Sequence, residues 1–353
     1  MDAGGQSNMN PTKLDGRPIV YIGGFGSAPL RVYDVSATTF ALTERQATYD
    51  AGPSPSYLAL DPTRTHLYAA NEDNGPGGGI TAFAIAADGS LTRINHESGT
   101  DGGFTHLAVA PSGKFVIGAS YNGGSVSVFP IRQDGGLDAQ VDLVDFGTGS
   151  QAHSVAYDST GKHVFIATKG ANAIQQLTLG DNGKLTPNTP ASVASSDGAG
   201  PRHIALHPKG GFAFVMDELS STVTTYKLET GKLTRGSRAS SLPNDVSSSN
   251  TGAHVEVSPD GRFVYASNRG HDSIAVFSVT EPSGALQVLA HASTGSTPRD
   301  FDLDPNGELL VVANQNQNTL STYRVGANGQ LTAVGSPLPT RSQPCAVQFH
   351  YIK

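Results

Sequence analysis

The sequence predicts an all-β protein: a seven-bladed β-propeller with four antiparallel strands per blade, its ring closed by the N- and C-terminal strands. Three observations carry this. A strand, turn and strand unit recurs at intervals of 46 to 51 residues, a leucine position recurs in phase with it, and one copy of the unit is split between the chain ends.

The unit reads YLALDPTRTHLYAAN, HLAVAPSGKFVIGAS, SVAYDSTGKHVFIAT, HIALHPKGGFAFVMD, HVEVSPDGRFVYASN and DFDLDPNGELLVVAN. Its turn positions are Pro62, Pro111, Ser159, Pro208, Pro259 and Pro305, separated by 49, 48, 49, 51 and 46 residues. The chain ends in AVQFHYIK, with Tyr351 lying 46 residues after Pro305, while the partner strand IVYIGG begins at Ile19. The seventh unit therefore joins the two termini. The second register is a leucine after a Gly-rich hairpin turn, at Leu42, Leu91, Leu137, Leu185, Leu233, Leu286 and Leu331. Between the registers lie runs such as ITAFAI, SVSVFPI and TLSTYRV, which alternate with the period of two expected of a strand.

Four short strands cannot bury both sheet faces alone, so each unit must stack on its neighbours, and radial stacking closes a ring. Repeats of about 40–50 residues are of blade size. A β-sandwich or parallel β-helix would explain strands but not the four-strand cadence or the split terminal unit. The domain boundaries follow: a disordered, polar lead-in over 1–18 and one propeller over 19–353.

Composition agrees with this reading and excludes several functions. The 353 residues include 42 Gly and 21 Pro but only 7% aromatic and 15% charged residues, the profile of a turn-dense chain. No Trp occurs, which argues against a tryptophan-aspartate interaction propeller. A net charge of −7 with no basic run opposes nucleic-acid binding, and no apolar stretch approaches a membrane span. The lead-in has no apolar core of a secretory signal, so a cytoplasmic location is expected. The single cysteine, Cys345, rules out an intramolecular disulfide framework and reads as an inert buried thiol.

In a blade, the innermost strand A runs down the channel, the A–B turn lies on the bottom face, and strand B returns to the top. The start of A and the end of B therefore share the top face. Bottom turns such as PSGK and PDGR look interchangeable, as structural turns should. The top differs. Strand A opens with Ser56-Tyr57, Thr105-His106, His153-Ser154, Arg202-His203, Ala253-His254, Arg299-Asp300 and Cys345-Ala346; strand B is followed by residues that include Glu72, Tyr121, Lys169, Glu218, Arg269 and Gln315. Stacking blades does not require four His, three Arg, a Lys and two Glu at these positions. Taken singly, each has a bland reading: a His hydrogen-bonded to a carbonyl, or an Arg202–Glu218 structural ion pair. Taken together they converge on the channel mouth as a titratable cluster. Candidate substrate contacts are His106, His203, His254, His271, Arg299, Asp300, Gln315, Glu72 and Lys169.

Arginine suits a carboxylate, a phosphate or a developing oxyanion, and a neighbouring His or Glu can move a proton to or from water. No Ser or Cys of the set has an evident base beside it, which favours direct attack by water. Ester-like hydrolysis of an anionic, polyhydroxylated substrate fits. No cofactor is called for, and no spacing such as HExxH gathers metal ligands at about 2 Å from one point.

At these residues the chain resembles the seven-bladed lactonase family that includes bacterial 6-phosphogluconolactonase and the fungal carboxymuconate lactonizing enzyme. The resemblance runs from about Ile19 to Lys353. It rests on GPRHIALHPKGGFAFVMDELSSTVTTYKL, GAHVEVSPDGRFVYASNRGHDSIAVF and STPRDFDLDPNGELLVVANQNQNTLSTY. It implies a catalytic set of His153, Arg202, Glu218 and Arg269. It also implies hydrolysis of an aldono-, aldaro- or 6-phosphoglucono-lactone, with water activated by Glu218 or His153 and substrate oxygens held by Arg202 and Arg269. The segment ATKGANAIQQ, with Lys169, Gly170 and Asn172, departs from the family's acidic Gly-Asp-rich pattern and points towards an unphosphorylated aldono- or aldaro-lactone. The alternatives are a lactone-forming or isomerising cycloisomerase and a non-catalytic ligand- or protein-binding propeller. The expected partner is a small-molecule sugar lactone, handled by a monomer or weak homo-oligomer.

Overall fold

The innermost strands are Pro55–Leu60, Phe104–Val109, Ala152–Tyr157, Pro201–Leu206, Thr251–Val257, Pro298–Leu303 and Pro344–Ile352, opening blades one to seven in that order. They come from a computed structural model that describes residues 13–353 apart from 76, 247, 248 and 342. Each begins an antiparallel sheet of four strands in sequential order, and the sixth sheet takes one further short strand, Leu338–Pro339. Each inner strand also packs on that of the next blade, and the seventh packs on the first, so the predicted ring is the observed fold.

Blade seven closes the ring as the split unit requires. Pro344–Ile352 pairs antiparallel with Arg17–Gly24, setting Ile19 opposite His350 and Tyr21 opposite Gln348. The boundary differs from the sequence reading at its edge, because the strand begins at Arg17 and not at Ile19. Of the expected 1–18 lead-in, residues 1–12 lie outside the described residues. Lys13 pairs with Glu308, and Leu14 exchanges two hydrogen bonds with Asn306 (2.7 and 3.1 Å), which ties the entry of the chain to blade six.

The strands follow from their pattern. Second strands such as Phe115–Ser120 and Leu309–Asn314 are buried along their whole length, because blades cover both faces. Outer strands such as Leu185–Ala194 and Lys232–Ser240 are largely exposed and carry the polar residues. The core is thus a series of wedges between blades; one such wedge unites Ile117 and Val128 of blade two with Val155, Ile166 and Leu177 of blade three. Tyrosines bolt neighbouring blades together: the hydroxyls of Tyr21, Tyr68 and Tyr265 donate to the Gly89, Gly135 and Gly329 carbonyls at 2.9, 2.9 and 3.0 Å.

The bottom turns need a left-handed residue, supplied by Gly113, Gly161, Gly261 and Gly307 at φ of 69, 71, 81 and 71°. Blade one uses Arg64 there (φ 58°), whose guanidinium crosses to donate to the Phe349 carbonyl (2.7 Å).

One irregularity repeats in every blade. Near the start of strand A the register slips by one residue against strand B: Ala152 faces Thr168 and Ser154 faces Ala167, leaving His153 extra, and Pro201 faces Asp217 while His203 faces Met216, leaving Arg202 extra. Equivalent slips leave Ser56, Thr105, Arg299 and Cys345 unpaired and set Ala253 and His254 together opposite Ser267. A β-bulge puts two consecutive residues where a regular strand would place one, and re-aims the side chains. The fold therefore repeats a local device that points the opening residues of strand A at the channel.

Candidate active site

The bulged Arg202 is the largest fully buried side chain of the protein, at 2% exposure. The A–B hairpin of blade four brings it to Glu218, sixteen positions along the chain, with Nε 3.1 Å from Oε2. That Nε–H is not aligned as a hydrogen bond, so the contact is coulombic. Nη1 donates to the Ala253 carbonyl of blade five at 2.6 Å. Arg269, at the end of the second strand of blade five, places Nη2 3.3 Å from the same Oε2 and donates from it to the Gly252 carbonyl (2.9 Å). Lys169 of blade three donates to Glu218 Oε1 at 3.0 Å and stands 5.0 Å over the Tyr121 ring. One carboxylate thus carries three cations from three blades.

The electrostatics follow from that count. Burial raises the pKa of Glu218, but Arg202, Arg269 and Lys169 together outweigh it and hold the carboxyl below its usual range, ionised. Burial, with repulsion from Arg269 and Arg299, pulls Arg202 down to about 9 against the attraction of Glu218, so it stays a cation at neutral pH. His153 is 4% exposed, and its ring packs edge-on to Tyr121 and His203, at 5.6 and 5.1 Å between centroids. Burial, reinforced by Arg202 and Arg299, drives its pKa well below that of an ordinary histidine, so it is a neutral imidazole. Its Nδ1 has no hydrogen-bond partner among the described residues.

The other residues expected at the mouth divide into groups. Arg299, the bulged residue of blade six, donates to Glu72 of blade one (3.2 Å) and lies over the Phe25 ring (4.6 Å). His106, His203 and His254 form an aromatic layer with Tyr57. His106 stacks on Tyr57 with centroids 3.8 Å apart, and His203 meets His254 through their Nδ1 atoms at 2.6 Å. Asp300 joins this layer, with Oδ1 3.3 Å from His254 Nδ1 and Oδ2 accepting the Val347 N–H at 2.9 Å.

One candidate is placed elsewhere. His271 hydrogen-bonds through Nδ1 to Ser273 (2.7 Å) and packs against His291 of the outer strand (5.9 Å), because the tight B–C turn carries it outward. Gln315 holds in blade six the position that Glu218 holds in blade four, its N–H donating to the Thr297 carbonyl (2.9 Å) as that of Glu218 does to the Gly200 carbonyl (2.7 Å). Cys345 is buried, and burial pushes its thiol far above the usual range, consistent with an inert group.

Sequence reasoning placed Tyr57 and Tyr121 on the top face without making them candidates, and passed over the acids Glu256 and Asp302. A signal for the acids was present: HVEV and DFDLD put carboxylates at alternate positions of strands that should be buried on both faces. Each such carboxylate accepts an N–H from the inner strand of the next blade: Glu256 from Leu303 at 2.8 Å and Asp302 from Phe349 at 2.5 Å. Among the described residues no group of three or more His, Cys, Asp or Glu side chains is placed to hold a metal ion. Among the described residues no helix is long and apolar enough to cross a membrane.

One end of the channel of this seven-bladed propeller thus gathers the buried Arg202, the partly buried Arg269, an ionised Glu218 and a neutral His153. The family profile described as "Lactonase, 7-bladed beta-propeller" matches residues 19–349, so the chain belongs to that family, and its class of activity is lactone hydrolysis. Its relatives include the 6-phosphogluconolactonase of Bacillus subtilis (strain 168), 33% identical over 350 residues, covering 95% of this chain and 99% of the relative. That of Serratia proteamaculans (strain 568) is 30% identical over 321 residues, covering 90% and 95%. Among solved structures, the periplasmic gluconolactonase of Pseudomonas aeruginosa superposes with a TM-score of 0.89 at 25% identity, covering 96% of this chain and 100% of the other.

Proposed function

We propose that the protein hydrolyses a sugar-acid lactone, of the aldono-, aldaro- or 6-phosphoglucono- type, by attack of water at the channel mouth. The observation that carries this reading is the clamp of Lys169, Arg202 and Arg269 on Glu218 beside a neutral His153 with an unpartnered Nδ1. His153 accepts a proton from the attacking water, which an imidazole of lowered pKa can do across the neutral range. Arg202 and Arg269 meet the negative charge that develops on the carbonyl oxygen. Glu218 has both oxygens engaged and a lowered pKa, so it serves better as the anion that orients these cations than as a base. Of the two expected water-activating groups, Glu218 and His153, this reading keeps His153.

Names of relatives support the substrate class: 6-phosphogluconolactonase for the sequence relatives and gluconolactonase for the solved structure. Lys169 adds a cation at the rim that can serve a substrate carboxylate or phosphate. The reading needs no metal, so activity survives exhaustive chelation. It places a monomer or weak homo-oligomer in the cytoplasm; cell fractionation tests the location, since the P. aeruginosa protein is described as periplasmic. The deciding experiment offers aldonic, phosphoaldonic and aldaric lactones in a weakly buffered indicator assay, with spontaneous opening subtracted. Acid release on none of them overturns the proposal.

A further inference from the structure

Below the mouth, the aromatic layer holds a contact that the chemistry above leaves unused. His203 and His254 approach through Nδ1 and Nδ1 at 2.6 Å, a separation that demands one proton between two nitrogens. His254 turns its other nitrogen, Nε2, to Glu256 Oε1 at 3.3 Å. Glu256 and His254 line a cavity of about 320 Å³ that extends to the bottom turns at Pro208 and Pro259. His203 in turn lies 5.1 Å, between ring centroids, from His153. A line of titratable groups therefore runs from the proposed base at the mouth to the opposite end of the channel.

The tautomers along this line are linked. When His254 donates from Nδ1, its Nε2 carries no hydrogen and must accept one from a protonated Glu256, while His203 carries its hydrogen on Nε2. When His203 donates instead, His254 bears hydrogen on Nε2 and gives it to an ionised Glu256, and His203 Nε2 becomes bare. Both imidazoles are held neutral by burial, as this exchange requires. We propose that Glu256, His254 and His203 form a proton relay that delivers a proton from Glu256, at the lower cavity, to the ring oxygen leaving the lactone at the mouth. The proposal rests on the hydrolytic reading above.

The step balances. His153 takes one proton of the attacking water as its oxygen bonds to the carbonyl carbon; the bond to the ring oxygen breaks with its electron pair, and that oxygen takes a proton from His203 Nε2. The proton between the two Nδ1 atoms shifts to His203, and Glu256 supplies His254 Nε2. His153 then returns the water proton to His203 Nε2, the Nδ1 proton moves back to His254 and His254 Nε2 returns its hydrogen to Glu256, which restores the starting tautomers, while the new carboxylic acid releases its proton at the mouth. The sum is lactone plus water giving hydroxycarboxylate plus one proton.

Burial raises Glu256 to about 8, with Asp300 adding to the rise against the Leu303 N–H, so it is protonated near neutrality. It titrates together with Asp302, whose carboxyl burial also raises, so the ionisation belongs to the pair. The titratable and charged groups facing the relay are Tyr57 and His106 of blades one and two, His153 and Arg202 of blades three and four, and Asp300 and Asp302 of blade six. Arg64 stands beyond Asp302.

Two measurements test the relay. In wild-type enzyme, kcat falls as pH rises through about 8, where the donor ionises. E256Q loses that limb and about 10²-fold in kcat with KM unchanged, and Glu256→Asp restores part of the rate. Because Gln can still accept the Leu303 N–H, the variant stays folded. An E256Q variant with wild-type kcat and pH profile, or one that loses only KM, overturns the relay. Independently of turnover, imidazole nitrogen NMR should show His203 moving its hydrogen from Nε2 to Nδ1 as the Glu256 pair ionises. A His203 tautomer that stays fixed through that titration overturns the relay even if lactone hydrolysis is confirmed; absence of hydrolysis with a switching tautomer indicts the hydrolytic reading instead.

Discussion

Blades four and six place an arginine at the same bulge of the same strand, yet the two guanidiniums occupy different surroundings. Arg202 has a side chain 2% exposed and shares Glu218 with Arg269 and Lys169. Arg299 has a side chain 16% exposed and pairs past blade seven with Glu72 of blade one, itself 27% exposed. The following residue differs as well: His203 in blade four joins the relay, while Asp300 in blade six accepts a backbone N–H from blade seven. Register therefore does not fix a mouth residue's surroundings. The same bulge yields a desolvated cation among competing charges in one blade and a more exposed ion pair in another, and the proposed reaction gives the developing anion to the first.

The largest effect that sharpens this contrast is expected from Arg202→Ala, which should lower kcat/KM on the confirmed lactone by about 10³-fold. It also leaves the Ala253 carbonyl without its charged donor, so chemical denaturation should report a loss of about 1–3 kcal/mol. Next comes His153→Gln: kcat should fall about 10²-fold with KM and the melting temperature near wild type. A His153→Gln enzyme as active as wild type would remove the base from the scheme.

Glu218→Gln should lower kcat/KM by about 10-fold and destabilise by roughly 3 kcal/mol, because it strands buried cations. Its pH signature has a definite sign. A carboxyl whose folded pKa is depressed stabilises above its unfolded pKa, and that stability is lost as pH falls through the folded value; urea titrations should show this acid-side loss in wild type and less of it in the variant.

Asp300 should behave in the opposite sense. Burial raises it to about 6, so between about pH 4 and 6 the folded state binds more protons than the unfolded one, and wild-type stability declines as pH rises across that window. Asp300→Asn should flatten the decline, by up to about 3 kcal/mol. The smallest effect is expected from Arg299→Ala: a few-fold in kcat/KM and about 0–1 kcal/mol, the scale of a partly exposed pair. Equal losses from Arg202→Ala and Arg299→Ala would break the comparison.

How much could be read without coordinates differs between fold and site. Turn prolines, hairpin leucines and the split seventh unit specify seven blades because each is a local requirement, for φ near −65°, for a buried apolar start to the outer strand, or for a missing partner. Top-face positions were equally legible, since the alternation of turns puts the start of strand A and the end of strand B on one side. The boundary at Ile19 missed by two residues, because Arg17 and Pro18 extend a strand whose partner, Pro344–Ile352, lies at the other end of the chain.

The amino-acid sequence by itself thus determined the blade count, the strand order, the closure and the face on which His153, Arg202, Glu218 and Arg269 lie. Tertiary structure alone decided which mouth residues meet. His271 and Arg269 stand two residues apart in sequence, yet one turns outward to His291 and the other inward to Glu218. The contacts of Lys169 with Glu218, Arg299 with Glu72 and His203 with His254 each join different blades, 49, 227 and 51 residues apart in sequence. No local pattern encodes such pairings. Protonation states were hidden for the same reason: they depend on burial and on charges brought in by other blades, and both exist only once the ring has closed.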